Sequence, residues 1–250
     1  IEGSVSSRVL PLGDNSLASQ ALTINRRLGV DWQHQGSKHY VQAGYFGGKT
    51  LDGESPASVL AARALWIPFQ TSNHVLHLGG SAAAESLRGS TAEDGSHLPP
   101  QLRLRARPGN GIANAAVLDT HLLNGAERVH RQSLEALWLK GPVFVQAEVL
   151  SLKSTLKPQE LDVRGDGHYV MAGWMVTGET RKYRNGYLAN PEPQQRWGAV
   201  ELLARYDEVE VEVGASYQRS EAWTLSAGWY LNDNLRFLLN HSRVRAQHEA

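Results

Sequence analysis

Apolar and polar residues alternate with a period of two along most of this chain. In the first such segment, Leu28, Val30 and Trp32 are separated by small or polar residues. The same alternation returns in the segments 41–46, 74–85, 131–139, 143–149, 168–177, 197–206, 223–231 and 235–242. Because successive side chains of a strand point to opposite faces, this period predicts strands with one apolar and one polar face. We count about eleven strands and expect an all-β protein.

The connections between these segments differ in length. Short turns are predicted at 70–73, Gly141-Pro142 and 232–234, and long polar loops at 47–57, 86–100, 110–128 and 178–196. Tight turns at one end of the strands and long loops at the other are typical of a transmembrane β-barrel. We therefore expect one antiparallel up-and-down meander with its long loops at one rim. No change of composition marks a second domain, so residues 1–250 are expected to form a single barrel domain.

The segment 102–109 has the sequence LRLRARPG, in which every second residue is an arginine: Arg103, Arg105 and Arg107. Alternate side chains of a strand share a face and lie about 6.6 Å apart, whereas a helix would scatter them around its axis. The pattern predicts a strand of the barrel wall with one strongly cationic face. We expect Leu102, Leu104 and Ala106 to contact lipid and the three guanidinium groups to face the lumen.

The same logic assigns faces to the other strands. We expect the even positions of 76–84, 134–138 and 170–176 to point outward, with the following residues inward: His77, Arg131, Glu135 and Tyr169. The reason is that an Arg or Lys facing lipid at mid-membrane costs about 2–4 kcal/mol. Aromatic residues also gather near the predicted strand ends, as in the interfacial girdle of a membrane protein: Trp66, Trp138, Trp197, Tyr206 and Trp229.

Composition narrows the function further. The 25 basic and 25 acidic residues cancel, so the sequence gives no support for nucleic-acid binding. There is no cysteine, and no run of about 18 apolar residues predicts a membrane-spanning helix. His74 and His77 would face opposite sides of a strand, and no GxSxG motif or phosphate-binding glycine loop is present. We therefore expect neither an enzyme nor a bound metal or cofactor.

Several motifs occur together in an order that resembles one family. They are ARALWIPF with VLHLGGSA, LRLRARP, EALWLKGPVFVQAEV, HYVMAGWMVTGETRKYR, WGAVELLARY and LSAGWYLNDNLRFLLNHSRV. Together they resemble the phosphate-selective porins of the O and P type from the outer membrane of Gram-negative bacteria, over residues 60–244. The TGE at 177–179 and the GWYLNDNLRF hairpin are the most specific parts. The resemblance implies a homotrimer of barrels of about sixteen strands in the lipid bilayer. It also implies passive diffusion of phosphate or polyphosphate anions through an arginine-lined pore.

The resemblance carries the role of the arginine ladder over to Arg103, Arg105 and Arg107. By parity, Arg131 is a further lumen-facing cation, and we include it among the candidate substrate-binding residues. Arg131 and the other inward cations by parity, Arg63, Arg205 and Arg236, are also expected to pair with an inward acid such as Glu85, Glu135, Glu148 or Glu201. Arg181, Lys182 and Arg184 lie in a long loop that either is simply solvated or forms an outer anion funnel. We also expect this chain to lack the first strands and the last strand of the family's barrel. The stretch 1–20, where constriction lysines are expected, contains no lysine.

A second fold remains compatible with the alternation. A soluble β-sandwich also has strands with one apolar face, and such a protein would bind an anionic ligand such as a sugar phosphate. The two differ in the position of Leu102, Leu104 and Ala106. A sandwich buries these residues against a second sheet, whereas the predicted barrel wall exposes them to lipid.

Overall fold

Ten long antiparallel strands form one continuous sheet in the computed structural model of the chain. The structure describes residues 1–4, 8–24, 26–48, 57–92, 94–111 and 115–249. The strands are β1 (Leu28–Gln35), β2 (His39–Gly48), β3 (Ala57–Gln70), β4 (His74–Leu87), β5 (Ala126–Lys140), β6 (Val143–Leu156), β7 (Leu161–Met175), β8 (Ala199–Val213), β9 (Ser216–Tyr230) and β10 (Arg236–Glu249). Each pairs with its neighbours in sequence, so the predicted up-and-down meander is confirmed. This sheet has no Greek-key crossing, and the alternative of a β-sandwich is wrong.

The remaining elements are short. The α-helix α1 covers Leu17–Leu22, and 3-10 turns cover Glu2–Ser4 and Pro108–Gly111. Four pairs of two-residue strands lie in the long connections: Ser90–Thr91 with His97–Leu98, Gln101–Leu102 with Leu123–Asn124, Arg105–Ala106 with Leu118–Asp119, and Tyr183–Arg184 with Tyr187–Leu188. Within the described ranges, none of the helices has the length and apolar character needed to cross a membrane.

The two faces of the sheet differ as the alternation predicts. We call the face that is covered by the N-terminal residues and the long connections the inner face, and the opposite one the outer face. On the outer face Leu134 is 71% exposed and Val170 47%, whereas His77 and Tyr169 on the inner face are fully buried. Glu135 is buried and Arg131 half-buried on the inner face as well. The predicted face assignment is therefore confirmed for these strands.

The loops do not all leave from one rim. The first rim carries the short turns 36–38, 71–73 and 141–142, but also the long connection 176–198. The second rim carries the long connection 88–125 together with the tight turns 157–160 and 214–215. The prediction of long loops at one rim was therefore wrong. The predicted wall strand at 102–109 is not part of this sheet, and counting it reverses the direction assigned to every later strand.

Two rows of aromatic side chains lie on the outer face. Close to the first rim, Trp66, Trp138, Trp174 and Trp229 are between 37% and 58% exposed. A second row lies near the middle of the strands, with Tyr45 and Trp223 exposed and Tyr206 packed on Trp223 at 4.9 Å between ring centroids. Between the rows the outer positions are aliphatic or alanine, and beyond the second row they are polar, as Lys153, Arg164 and Glu212 show. This is the lipid-facing band of a barrel with an aromatic girdle at each interface.

The helix α1 packs against the inner face in close contact with β7. Ser16 caps the helix, because its side-chain oxygen accepts a hydrogen bond from the backbone N–H of Ser19. A Cβ atom on Gly167 would lie 2.8 Å from that of Ala18, and one on Gly165 would lie 2.5 Å from the Leu22 side chain. Glycine at these two positions therefore permits the approach. The sequence does not predict α1, because six residues are too few to show a helical period.

The outer face generates a first prediction, at Ala172. This residue is exposed between Val145 of β6 and Ala204 of β8, in the band between the aromatic rows. We expect Ala172→Arg to lower the free energy of unfolding from lipid vesicles by about 2–4 kcal/mol, because the guanidinium group would meet hydrocarbon. Ala172→Leu is the matched control and should change it little. Equal effects of arginine and leucine would show that this face does not contact lipid.

Candidate functional site in the arginine segment

The arginine segment, residues 102–107, lies on the inner side of the wall and is not one of its strands. It belongs to the connection 88–125, which folds back from the second rim. Leu102, Leu104 and Ala106 are 6%, 1% and 0% exposed, and they join a core cluster with α1 and inner-face residues of β6 and β8. The prediction that these three residues contact lipid was therefore wrong. The alternation itself is present, but its apolar side faces protein.

Hydrogen bonds fix this segment to α1 and fix residues 117–119, which pair with it, to the wall. Gln218 of β9 binds both backbone groups of Asp119: its Nε2 donates to the carbonyl at 3.1 Å, and its Oε1 accepts from the N–H at 3.0 Å. Ser220 of β9 donates to the carbonyl of Val117 at 2.7 Å. Gln20 of α1 accepts from the backbone N–H of Arg107 at 2.9 Å. The segment is thus held by its apolar side and by polar anchors on two elements.

The three guanidinium groups have different environments. Arg103 is exposed and makes a two-point contact with Asp119, Nε to Oδ1 at 2.8 Å and Nη2 to Oδ2 at 2.5 Å. The Arg105 side chain is exposed and has no hydrogen bond or ion pair in the described ranges. Arg107 is half-buried, and its Nε has no hydrogen-bond partner in the described part of the chain. Arg105 therefore keeps its donors available to a ligand, whereas the unpartnered Nε of Arg107 is buried.

Arg131, the fourth candidate, lies in a different cluster on the inner face. Its Nη1 donates to Glu85, and Arg27 donates to the other oxygen of the same carboxylate at 2.6 Å. Two guanidinium groups thus share one carboxylate. A cavity of about 340 Å³ adjoins it, lined by Arg27, Arg131, Ser81 and Ser133 among others. The expectation that inward cations pair with inward acids is met at Arg131.

The connection 176–198 also folds onto the inner face, from the first rim. Arg181 is fully buried and binds both oxygens of Glu201 at 2.5 Å, the hydroxyl of Tyr230 at 2.5 Å and the carbonyl of Ala189 at 2.9 Å. Its guanidinium also lies 5.7 Å from the ring centre of Phe144. The predicted outer funnel is therefore wrong for Arg181. The neighbouring Lys182 is exposed and pairs with Glu192, and Arg184 is exposed.

A buried hydrogen-bonded chain fastens the same connection to the wall. Arg63 of β3 donates to Glu135 of β5 at 2.9 Å and to the carbonyl of Gly186 at 3.0 Å. His77 of β4 bonds Glu135 at 2.9 Å, and its other ring nitrogen bonds the hydroxyl of Tyr183 at 3.1 Å. The buried guanidinium groups of Arg63 and Arg181 are thus each paired with a carboxylate, that of Glu135 and that of Glu201. No group of three or more metal-ligating residues is found among the described residues.

Comparison with known proteins assigns this architecture to a family. A family model described as phosphate-selective porin O and P matches residues 3–250. The chain belongs to this porin family. It is 29% identical to Porin O of Pseudomonas aeruginosa over 201 residues, which is 70% of this chain and 44% of that protein. It is also 29% identical over 250 residues to an uncharacterized protein of Caulobacter vibrioides, 92% of this chain and 48% of that protein.

Two solved structures share the fold of this porin chain. One is OmpT of Vibrio cholerae folded in vitro, with a TM-score of 0.61, 12% identity and coverage of 98% of this chain and 63% of that one. The other is OmpT expressed in the outer membrane, with a TM-score of 0.53, 11% identity and coverage of 87% and 54%. These are outer-membrane β-barrels. The porin chain lies in the outer membrane of a Gram-negative bacterium, and it spans about half the length of the curated relatives it matches.

The buried pair of Arg181 and Glu201 generates a second prediction. Arg181→Ala leaves a buried carboxylate without its cation, which costs about 3–5 kcal/mol of the free energy of unfolding. We expect the connection 176–198 to detach from the inner face and to be cleaved faster by added protease. The measurement is unfolding from lipid vesicles together with the rate of cleavage.

The control is the neighbouring exposed pair. Lys182→Ala removes the contact with Glu192, and exposed ion pairs contribute only about 0–1 kcal/mol. Adding Glu201→Gln to Arg181→Ala should restore part of the lost stability, because the unpaired charge is then removed. If the variants at 181 and 182 lost equal stability, the buried pair would not hold the connection in place.

Proposed function

We propose that the full-length porin is an anion-selective channel that passes phosphate or polyphosphate by passive diffusion through an arginine-lined pore. The observation that carries the proposal is the row of three cations, Arg103, Arg105 and Arg107, on a segment fixed to the inner side of the wall. An amphipathic segment anchored by its apolar side presents its cationic side to the water of the lumen. Family membership supports the same function.

The physical chemistry of the row suits conduction. Three guanidinium groups within about 13 Å raise the local concentration of anions, although the chain has no net charge. Each can hold a phosphate oxygen by charge-assisted, often two-point hydrogen bonds. Several adjacent sites of modest strength allow an ion to move from one to the next without being trapped, as conduction requires.

Arg131 extends this path in the proposal. It is paired with Glu85 beside the 340 Å³ cavity, so it attracts anions less strongly than an unpaired guanidinium would. We also propose that the described sheet is part of one barrel domain, with the rest of the barrel supplied by strands outside this chain, and that three barrels assemble as a homotrimer in the bilayer. The proposal involves no catalysis, no cofactor and no nucleic acid.

The arginine row generates a third prediction. In the full-length porin reconstituted in planar bilayers, we expect Arg103→Ala with Arg105→Ala and Arg107→Ala to reduce the permeability ratio of anions over cations. Phosphate binding, measured as the concentration that half-saturates the conductance, should weaken by roughly tenfold, because the local counter-ion concentration falls. The barrel should still assemble, since the buried apolar side of the segment is unchanged.

The matched control removes three charges from the outer face. Arg164, Arg243 and Arg245 are exposed there, and their replacement by alanine should leave anion selectivity unchanged. Lysine at positions 103, 105 and 107 should preserve anion selectivity but weaken phosphate binding, because a single ammonium cannot make the two-point contact. A triple alanine variant that conducts and selects like the parent would show that these arginines do not contact the permeating anion.

A further inference from the structure

A row of basic side chains crosses three strands on the outer face, beyond the second aromatic row. His130 of β5 lies opposite Lys153 of β6, and Lys153 in turn lies opposite Arg164 of β7. Arg128 lies two residues before His130, and all four residues are exposed. We call these four residues the basic row. Each of the three strands pairs with a neighbour on both sides, so the basic row lies on the wall and not at an edge of the sheet.

Acids flank the basic row at its two ends. Glu127 precedes Arg128, and Glu212 of β8 lies opposite Arg164. Asp162 contacts Arg164, with 3.6 Å between its Oδ2 and Nη2. The side chains of Arg164 and Asp162 are 60% and 62% exposed, so water weakens their attraction. The charge at the ends of the basic row is therefore partly balanced.

The centre of the basic row has no such acid. Lys153 has basic neighbours on both adjacent strands, His130 and Arg164, and uncharged ones on its own strand face, Ser151 and Thr155. Its ammonium group has no hydrogen bond or ion pair in the described ranges. Like charges directly opposite each other in a sheet are destabilising, so an anion between Lys153 and Arg164 would remove a repulsion.

An apolar groove on the outer face leads to the basic row. Its volume is about 610 Å³, and its lining includes the following small or aliphatic residues of β3 to β6: Ala64, Gly80, Ala82, Leu134 and Val149. Leu134 and Val149 are 71% and 58% exposed, so they form raised walls beside the small residues. Gln132 and Ser151 also line this groove. On their strands, the next outer positions toward the second rim belong to the basic row.

The groove and the basic row form three consecutive levels on β5 and β6. The cross-strand pairs, in order toward the second rim, are Leu134 with Val149, Gln132 with Ser151, and His130 with Lys153. Successive levels on one face of a strand are about 6.6 Å apart. Apolar, uncharged polar and basic levels thus follow one another. A phospholipid has the same order, with its acyl chain, its glycerol esters and its phosphate.

We propose that this part of the outer face binds one anionic phospholipid, with an acyl chain in the groove and the phosphate between Lys153 and Arg164. Ammonium and guanidinium groups hold phosphate oxygens by charge-assisted hydrogen bonds. The aromatic row places this level of the wall at the membrane interface, where lipid headgroups lie. Free phosphate has the same charge but would leave the groove empty. The proposal goes beyond the channel function, because the outer face does not meet the lumen.

The first experiment removes the charges of the basic row. Native mass spectrometry of the full-length porin in detergent counts bound lipids and protein chains together, with phosphatidylglycerol and phosphatidylcholine as probes. We expect Arg128→Gln with Lys153→Gln and Arg164→Gln to weaken phosphatidylglycerol binding about tenfold, because each basic residue near the membrane surface attracts anionic lipid. Binding of zwitterionic phosphatidylcholine should change little. A variant that binds phosphatidylglycerol like the parent would overturn the proposal.

The matched control removes three exposed cations near the first rim. Lys38, Lys140 and Arg196 are exposed and do not form a cross-strand row. Their replacement by glutamine should leave phosphatidylglycerol binding at the level of the parent. A loss equal to that of the first variant would mean that total charge attracts the lipid. In that case the basic row would not be a binding site.

A second variant fills the groove without changing any charge. Ala64→Leu with Ala82→Leu places two larger side chains in the space of the acyl chain, and leucine is compatible with a lipid-facing position. We expect phosphatidylglycerol binding to weaken by roughly threefold, because the acyl chain loses apolar contact with the groove. Ala172→Leu, outside the groove, is the control and should have no effect. Unchanged binding in the groove variant would overturn the proposal.

Two further outcomes would assign the face to another ligand. Inorganic phosphate at the concentration of the lipid should not displace phosphatidylglycerol, because it cannot occupy the groove. Displacement at equal concentration would mean that the basic row binds free phosphate, and would overturn the proposal. A changed number of protein chains with unchanged lipid binding would instead make this face a contact between copies of the porin. The channel prediction is tested at other residues, so its outcome is independent of these results.

Discussion

The constraint on which this structure depends is that a lipid-facing wall must satisfy every backbone polar group within the sheet. Hydrocarbon offers no hydrogen-bond partner, so each strand in the wall must pair along its length with both neighbours. The result is a meander of ten strands in sequential order, in which β3 to β10 each have 14 or 15 residues. The connectivity of the sheet is therefore simple, and the arginine segment and the buried ion pairs lie on the inner face and in the connections.

The inner face solves a second problem, because it must hold charged side chains that the outer face cannot. Burying an ion costs several kcal/mol unless a partner and further hydrogen bonds compensate. Arg181 with Glu201 and Arg63 with Glu135 are such buried pairs, and each also binds a backbone carbonyl of the connection 176–198. The same ion pairs that make the charges tolerable therefore fasten a connection inside the wall. These ion pairs of the inner face therefore have a structural and an electrostatic role at the same time.

Much of the wall could be predicted from the sequence, because a period of two reports directly which residues share a face. The alternation does not report what the apolar face contacts. Lipid and protein interior are both apolar, so an apolar face fits either of them. The prediction that Leu104 contacts lipid was wrong for this reason, since Leu104 is 1% exposed within the protein core. Face parity indicated inward acids such as Glu85 as partners of inward cations such as Arg131, and this pair is present. The contact of Asp119 with Gln218, across 99 positions, could not be predicted from the sequence. The polar residues at inner positions of β9, such as Gln218 and Ser220, are the sequence feature that indicates hydrogen-bonding groups packed against that strand.

The positions of the acids decide where this chain keeps unpaired positive charge. Its basic and acidic residues are equal in number, so a cationic path requires that the two kinds be sorted in space. Buried guanidinium groups must have acidic partners to offset desolvation, and their fields are cancelled locally. Guanidinium groups that remain in water need no partner, and Arg105 on the exposed side of the arginine segment has none among the described residues. An acid that enters this exposed row, as Asp119 does, is not required by burial.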